Sequence, residues 1–210
     1  MNAVAGPMLN DEQLDQLATH HFVQGGGFSD AATLHQARGE LRALLQAHRM
    51  RPAAVSRGEA RRMDATERSD LMAWIDPSDV TPALNVLHGV FMSLQAQLNE
   101  GLFLGLRSFE LQAAVYPGGG AHYRRHMDAF PGSENRVVTA IVYLNPDWKP
   151  QHGGELLAWA PDVTSVAPAL GRWVVFLSDR IEHEVRPAFA ERWALTAWFR
   201  RSLSGMPAAL

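Results

Sequence analysis

The hydrophobic period of the chain changes at Gly101, from helical before it to alternating after it, and this change sets the fold class. Phe109, Leu111, Ala113 and Val115 alternate with Glu110, Gln112, Ala114 and Tyr116, the pattern of an amphipathic strand. Further β-rich runs occupy 136–145, Glu155 to Trp159, Trp173 to Leu177 and Trp193 to Arg200, separated by Gly, Pro and Asp turns. Short strands of this kind bury their apolar faces only against one another, and with helices at the start they fit a two-sheet jelly roll. The expected architecture is mainly β with flanking α. A jelly-roll core over 102–201 is buttressed by a mostly helical 1–101, and the 210 residues form a single domain.

Three helices are expected before Gly101. Asn10 with Gln13 three positions on is a capping pair, and Leu14 and Leu17 give an apolar stripe. Phe22-Val23 reads as a short strand before Gly25-Gly26-Gly27. A second helix starts at Ser29 or Asp30 and carries Leu34, Leu41, Leu44 and Leu45 at helical spacing. The third has Thr81 as cap, Pro82 in its first turn and Gly101 as terminator, with Leu84, Leu87, Phe91, Leu94 and Leu98 on its buried face. Residues 50–70 are rich in Arg, Ala, Gly and Ser without periodicity and read as a loop.

Within the β half, His126 and Asp128 stand two residues apart in Tyr-Arg-Arg-His-Met-Asp (123–128). Positions i and i+2 of an extended strand point the same way, so an imidazole and a carboxylate can face one ion. His183, in Asp-Arg-Ile-Glu-His-Glu-Val (179–185), arrives from another strand as a third ligand. Two His and one carboxylate on one octahedral face leave three positions open, the arrangement of Fe(II) oxygenases. Zinc also accepts such ligands, so ligand type alone does not choose the metal. Arg192 discriminates: opening the apolar strand Trp193 to Phe199, it is placed to fork onto a carboxylate co-substrate, for which a hydrolase has little use. The remaining His residues need no ligand role. His20, His21, His35, His48 and His88 lie in helical segments, and His122 and His152 have no matching function.

The segment Tyr116 to Arg200 resembles the Fe(II)- and 2-oxoglutarate-dependent prolyl hydroxylases, most nearly the oxygen-sensing branch and its bacterial relatives. Besides the ligand set and Arg192, the similar runs are Tyr-Pro-Gly-Gly-Gly (116–120), Tyr-Leu-Asn-Pro-Asp-Trp (143–148), Gly-Gly-Glu-Leu (153–156), Ser-Asp-Arg (178–180) and His-Glu-Val-Arg-Pro-Ala (183–188). The resemblance implies a double-stranded β-helix. It implies Fe(II) on His126, Asp128 and His183, with 2-oxoglutarate and O2 as co-substrates and ascorbate as a supporting reductant. Tyr143 is implied to help Arg192 hold the distal carboxylate, and Tyr116 to sit near the end of 2-oxoglutarate that chelates iron. Tyr123 is expected at the substrate entrance, Trp198 in the pocket wall and Arg136 beside a peptide substrate. The implied reaction hydroxylates a prolyl residue of a protein or peptide and releases succinate and carbon dioxide. Halogenases of similar type lack the carboxylate, which this chain keeps at Asp128. Two other readings remain open: hydroxylation of a free amino acid or small metabolite, and a slow-turnover 2-oxoglutarate or oxygen sensor. The loop 129–135 departs from the oxygen sensors and leaves the substrate unassigned.

A net charge of −3 argues against a nucleic-acid partner, although Arg57, Arg61 and Arg62 make a local basic patch. The glycine runs lack the Lys-Ser/Thr of a phosphate loop. No stretch reaches membrane-span length, and the N-terminus has no secretory pattern. Cysteine is absent, which suits a reducing compartment, and a cytoplasmic location is expected.

Overall fold

The computed structural model describes residues 9–53, 64–129 and 136–202. Among the described residues eleven strands fall into two antiparallel sheets. They are β1 (Phe22–Gly25), β2 (Arg51–Pro52), β3 (Leu71–Ile75), β4 (Ser108–Tyr116), β5 (Ala121–His126), β6 (Arg136–Tyr143), β7 (Leu156–Ala160), β8 (Asp162–Val166), β9 (Trp173–Leu177), β10 (His183–Ala188) and β11 (Arg192–Arg200). The major sheet runs β1-β9-β6-β11-β4-β3-β2 and the minor sheet β5-β10-β7-β8. The architecture is the expected double-stranded β-helix, and helices α1 (Asp11–His20), α2 (Ala31–Gln46) and α3 (Pro82–Leu102) cover one side of the major sheet.

Side-chain parity decides what each major-sheet strand contributes. Trp193, Leu195, Ala197 and Phe199 of β11 join Leu111, Ala113 and Val115 of β4 and Val138, Ala140 and Val142 of β6 in the core under the helices. The alternate residues Ala194, Ala114, Tyr116, Ile141 and Tyr143 pack between the sheets with Leu156, Phe176 and Val185. Both faces are therefore buried, which is why β11 reads as an almost unbroken apolar run. Each large apolar side chain so buried contributes about 1.5–3 kcal/mol. The inward parity is the one that carries Arg192, Thr196 and Trp198, so the sheet that builds the core also aims the site.

The helices form as their caps dictate. Asn10 and Gln13 make the expected capping box, and Asp30 caps α2. Thr81 occupies the N-cap of α3 without capping through its own side chain. Instead Glu40 of α2 takes the amides of Ala83 and Leu84 at 3.1 and 3.0 Å and the Thr81 hydroxyl. Gly101 does not end α3, which continues to Leu102 and closes on a left-handed Phe103. Gly101 serves packing, since a Cβ there would meet Leu14 Cδ1 at 2.8 Å.

The mostly helical first half also supplies strands: β1 is the short strand expected at Phe22-Val23, and β2 and β3, which were not expected, extend the major sheet at its other end. Leu71–Ile75 escaped notice because its side chains do not alternate in polarity. Much of it is half-buried, beside β4 on one side and the short β2 on the other. Of the span 50–70 read as a loop, residues 54–63 lie outside the described residues, the basic patch with them.

Candidate metal centre

His183 of β10 pairs directly with His126 of β5, which brings two imidazoles from different strands side by side, their ring centroids 4.3 Å apart. Asp128 is not on the strand as expected. β5 ends at His126, and Asp128 lies in the bend beyond it. The bend still presents the carboxylate to both rings. Its Oδ1 is 3.8 Å from His126 Nε2 and its Oδ2 is 3.8 Å from His183 Nε2. One ligand atom from each residue lies within 4.8 Å of the others. Atoms about 2.1 Å from a shared ion and at right angles stand about 3 Å apart, so small side-chain rotations bring the three within bonding reach.

The hydrogen bonds around the cluster leave the correct atoms free. His126 Nδ1 faces the Arg124 carbonyl at 2.7 Å and His183 Nδ1 faces the Ile181 carbonyl at 3.3 Å. Backbone carbonyls only accept, so each Nδ1 carries the hydrogen and each Nε2 has a lone pair for a metal. Thr139 donates to Asp128 Oδ2 at 2.8 Å and is itself bonded to the fully buried Ser178 at 2.9 Å. Burial, with His183 nearby, pushes His126 down to about 3, so the ring is neutral at physiological pH. Burial alone would raise the Asp128 carboxyl, but His183, His126 and Arg136 outweigh it and hold it below the usual carboxylate range. Two imidazole nitrogens and one buried carboxylate suit a divalent cation, and a buried carboxylate is costly without one.

Arg192 begins β11 opposite Tyr116 of β4 and is almost wholly buried. Its Nε donates to the Gly154 carbonyl at 2.8 Å, and its Cζ stands 4.8 Å from the Tyr116 ring and 5.1 Å from the Tyr143 ring. The Tyr143 hydroxyl is buried without a hydrogen-bond partner, and burial pushes this phenol up to about 12. A buried cation beside an unpartnered phenol donor is what a carboxylate would satisfy. Gly154, at φ +75°, makes room for this arrangement, because a Cβ there would stand 3.0 Å from Arg192 Cδ. A separate cavity of about 220 Å³ touches Arg192, with Trp148, His152 and Glu191 among its walls, but the three ligand candidates do not line it.

Other sequence candidates lie close around the cluster. Trp198 faces the same way as Thr196, and Arg136 lies 3.9 Å over its ring. Arg136 is nearly buried and shares Glu110 with Arg200 at 3.4 and 2.7 Å. Tyr123 stacks on His126 with centroids 3.5 Å apart. His122 bridges the carbonyls of Gly120 and Thr66, and His152 Nδ1 accepts from the Lys149 amide, so both have structural partners. Most of the loop 129–135 lies outside the described residues.

Sequence reasoning missed Thr139, Glu110, Arg68, Asp70 and Trp74. Trp74 of β3 is half-exposed and tilts against Trp198 at 5.7 Å. Thr139 and Glu110 were accessible through parity, as both lie on inward-facing registers with Trp198. Arg68 and Asp70 follow no period and had no signal beyond their spacing.

The family described as the 2OG-Fe(II) oxygenase superfamily matches residues 111–200. Egl nine homolog 1 of Homo sapiens is 34% identical over 143 residues, covering 63% of this chain and 33% of that protein. The chain thus spans about a third of the length of that curated relative. Among solved structures, a Pseudomonas putida prolyl-4-hydroxylase is 39% identical with a TM-score of 0.82, covering 90% of this chain and 97% of that one. A prolyl hydroxylase in complex with a hypoxia inducible factor oxygen degradation domain peptide fragment, from Trichoplax adhaerens, is 29% identical with a TM-score of 0.83. That match covers 92% of this chain and 91% of that one.

Proposed function

Because the chain belongs to the 2OG-Fe(II) oxygenase superfamily, and within it to the prolyl hydroxylase family, we propose that it is a 2-oxoglutarate-dependent dioxygenase acting on a prolyl residue of a protein or peptide. The observation that carries the reading is the His126–Asp128–His183 cluster, with Arg192 and the unpartnered Tyr143 hydroxyl buried between the same two sheets. The family's cofactor set is Fe(II), 2-oxoglutarate and O2.

His126 Nε2, His183 Nε2 and an Asp128 oxygen hold the iron. Arg192 and Tyr143 fix the distal carboxylate of 2-oxoglutarate, and Tyr116 walls the pocket between them and the metal. When bound, iron with 2-oxoglutarate and O2 supplies the oxidative decarboxylation to succinate and carbon dioxide and the power to hydroxylate an unactivated C–H bond. Asp128 keeps a carboxylate where a halide would have to bind, which directs the outcome to hydroxylation. Val174, Phe176 and Ile141 keep the inner wall apolar and exclude water. On the outer side the half-exposed Trp74, backed by Trp198 and the Arg136 stacked on it, offers an aromatic face to a proline-bearing segment, and Tyr123 has its edge and hydroxyl to offer.

We also read the chain as one domain, since β1, β2 and β3 from its first half complete the sheet that bears the site. Among the described residues no helix is long and apolar enough to cross a membrane. A cytoplasmic setting belongs to the same proposal, supported by the cysteine-free composition.

The test is succinate release with Fe(II), 2-oxoglutarate and ascorbate in air. Release that rises on adding proline-containing peptides but not free proline supports the proposal. A rise with free proline alone moves the substrate to a small metabolite, and no release with any substrate leaves the sensor reading.

A further inference from the structure

We propose that Arg68 is a positioning residue for the metal ligand His126, acting through the ring of Tyr123; this rests on reading His126 as an iron ligand. The two histidines of the centre are held differently. His183 is closely packed, with the Phe176 ring 4.8 Å away, whereas the side chain of His126 keeps 18% exposure at the end of β5. Its Nδ1 bond to the Arg124 carbonyl fixes one edge of the imidazole and leaves its plane to whatever lies against its face.

Tyr123 lies there, nearly parallel at 17° and 3.5 Å. An imidazole that close fills one face of the phenol, so the Arg68 guanidinium, with Cζ 4.5 Å from the ring centroid, covers the other. The guanidinium is itself immobilised. Nε and Nη2 fork onto Asp70 at 2.6 and 2.9 Å, and Nη2 reaches Gln112 at 3.3 Å. Asp70 is buried and its carbonyl accepts the Ala53 amide. Arg68 therefore ties β4, through Gln112, to the face of a metal ligand on the other sheet.

The backbone carries the same connection. Ser69 N donates to the His122 carbonyl, His122 N to Ser69 Oγ, and Arg124 N to the Glu67 carbonyl. Residues 66–69 thus run along the free edge of β5 beside the stacked rings. A bidentate fork holds the guanidinium plane in a way that a point charge cannot. Groups that orient a ligand typically change metal affinity about 10–100-fold when removed, and one acting through an intervening ring belongs at the lower end.

The experiment is titration of the protein with Co(II), read by its visible absorption, which reports affinity and ligand arrangement together. Arg68→Ala is expected to weaken Co(II) about tenfold and alter the absorption bands. Tyr123→Phe, which keeps the ring, is expected to bind like the unsubstituted protein. Arg68→Ala combined with Tyr123→Ala is expected to bind no more weakly than Tyr123→Ala alone, because the guanidinium positions the imidazole through the ring and its charge, acting directly on His126, disfavours a cation there. Should Arg68→Ala fail to fold, Arg68→Met with Asp70→Asn removes the pair without leaving a buried charge and is expected to give the same shift. Unchanged Co(II) affinity and bands on loss of Arg68, or additive losses in the double variant, would overturn the proposal. His126→Ala binding Co(II) undiminished would instead remove the reading of the metal centre beneath it.

Discussion

Thr139 donates its hydroxyl hydrogen to Oδ2 of Asp128 at 2.8 Å, and with that oxygen engaged in donating, Ser178 supplies the hydrogen of the 2.9 Å bond to Thr139. This chain of two hydroxyls runs from the fully buried Ser178, just beyond β9, through Thr139 of β6 to a carboxylate in an irregular bend. A metal ligand outside regular structure has no ladder to hold it, and the Thr139 bond supplies what the strand does not.

Thr139→Val keeps the shape of the side chain and removes the bond. Metal affinity is expected to fall about 10–100-fold while the fold persists, measured by equilibrium titration with Fe(II) under exclusion of air. Undiminished affinity would show that Asp128 is held by the backbone alone.

Arg192→Ala is expected to weaken 2-oxoglutarate binding by about 2–5 kcal/mol, the cost of breaking a buried, hydrogen-bonded charge pair. Tyr143→Phe removes a single bond to the same carboxylate and is expected to cost about 1.5–3 kcal/mol. Calorimetric titration of the metal-loaded protein with 2-oxoglutarate measures both. Unchanged affinity in either variant places the distal carboxylate elsewhere.

Gly154→Ala tests the cradle of Arg192. Backbone at φ +75° costs a side chain about 1–2 kcal/mol, and the new Cβ would press on Arg192 Cδ. Reduced thermal stability is expected together with weaker 2-oxoglutarate binding. Gly120→Ala, at φ +90° with no atom within 4 Å of its Cβ, is expected to lose stability without the binding defect.

Acid sensitivity has a specific source in the helical layer. Burial would raise the Glu40 carboxyl, but its bonds from Thr81, Ala83, Leu84 and Gln36 outweigh that and lower it from an ordinary 4.5. A depressed folded value means the unfolded chain takes up the proton first. The contribution of Glu40 is therefore complete above 4.5 and is lost as pH falls through the lower folded value. Glu40→Gln is expected to cost about 1 kcal/mol at neutral pH, as for a lost helix cap, and to flatten the decline in melting temperature between neutral and acid pH. An unchanged acid decline would assign the effect to other carboxylates.

What the sequence disclosed follows from what each residue answers to. Strand β4 was legible by its alternation, β6, β9 and β11 as short apolar, β-branched and aromatic runs between turn residues, and Asn10 and Asp30 because caps are local chemistry. The pairing of His126 with His183 could only be expected, since no spacing encodes which strands meet. The burial of Arg136 was not legible because its partners Glu110 and Trp198 are far away in sequence. Strand Leu71–Ile75 was missed because its half-buried side chains do not alternate in polarity. Arg68 and Asp70 were missed because a bidentate pair at i and i+2 in an aperiodic segment looks the same as surface charge.

The most direct test of the account is anaerobic Fe(II) binding to the unsubstituted protein and to Asp128→Ala, with melting curves confirming that both fold. The account predicts tight uptake of a single Fe(II) by the former, strengthened by 2-oxoglutarate, and its loss in the latter. Equal Fe(II) affinity in the two proteins would contradict it.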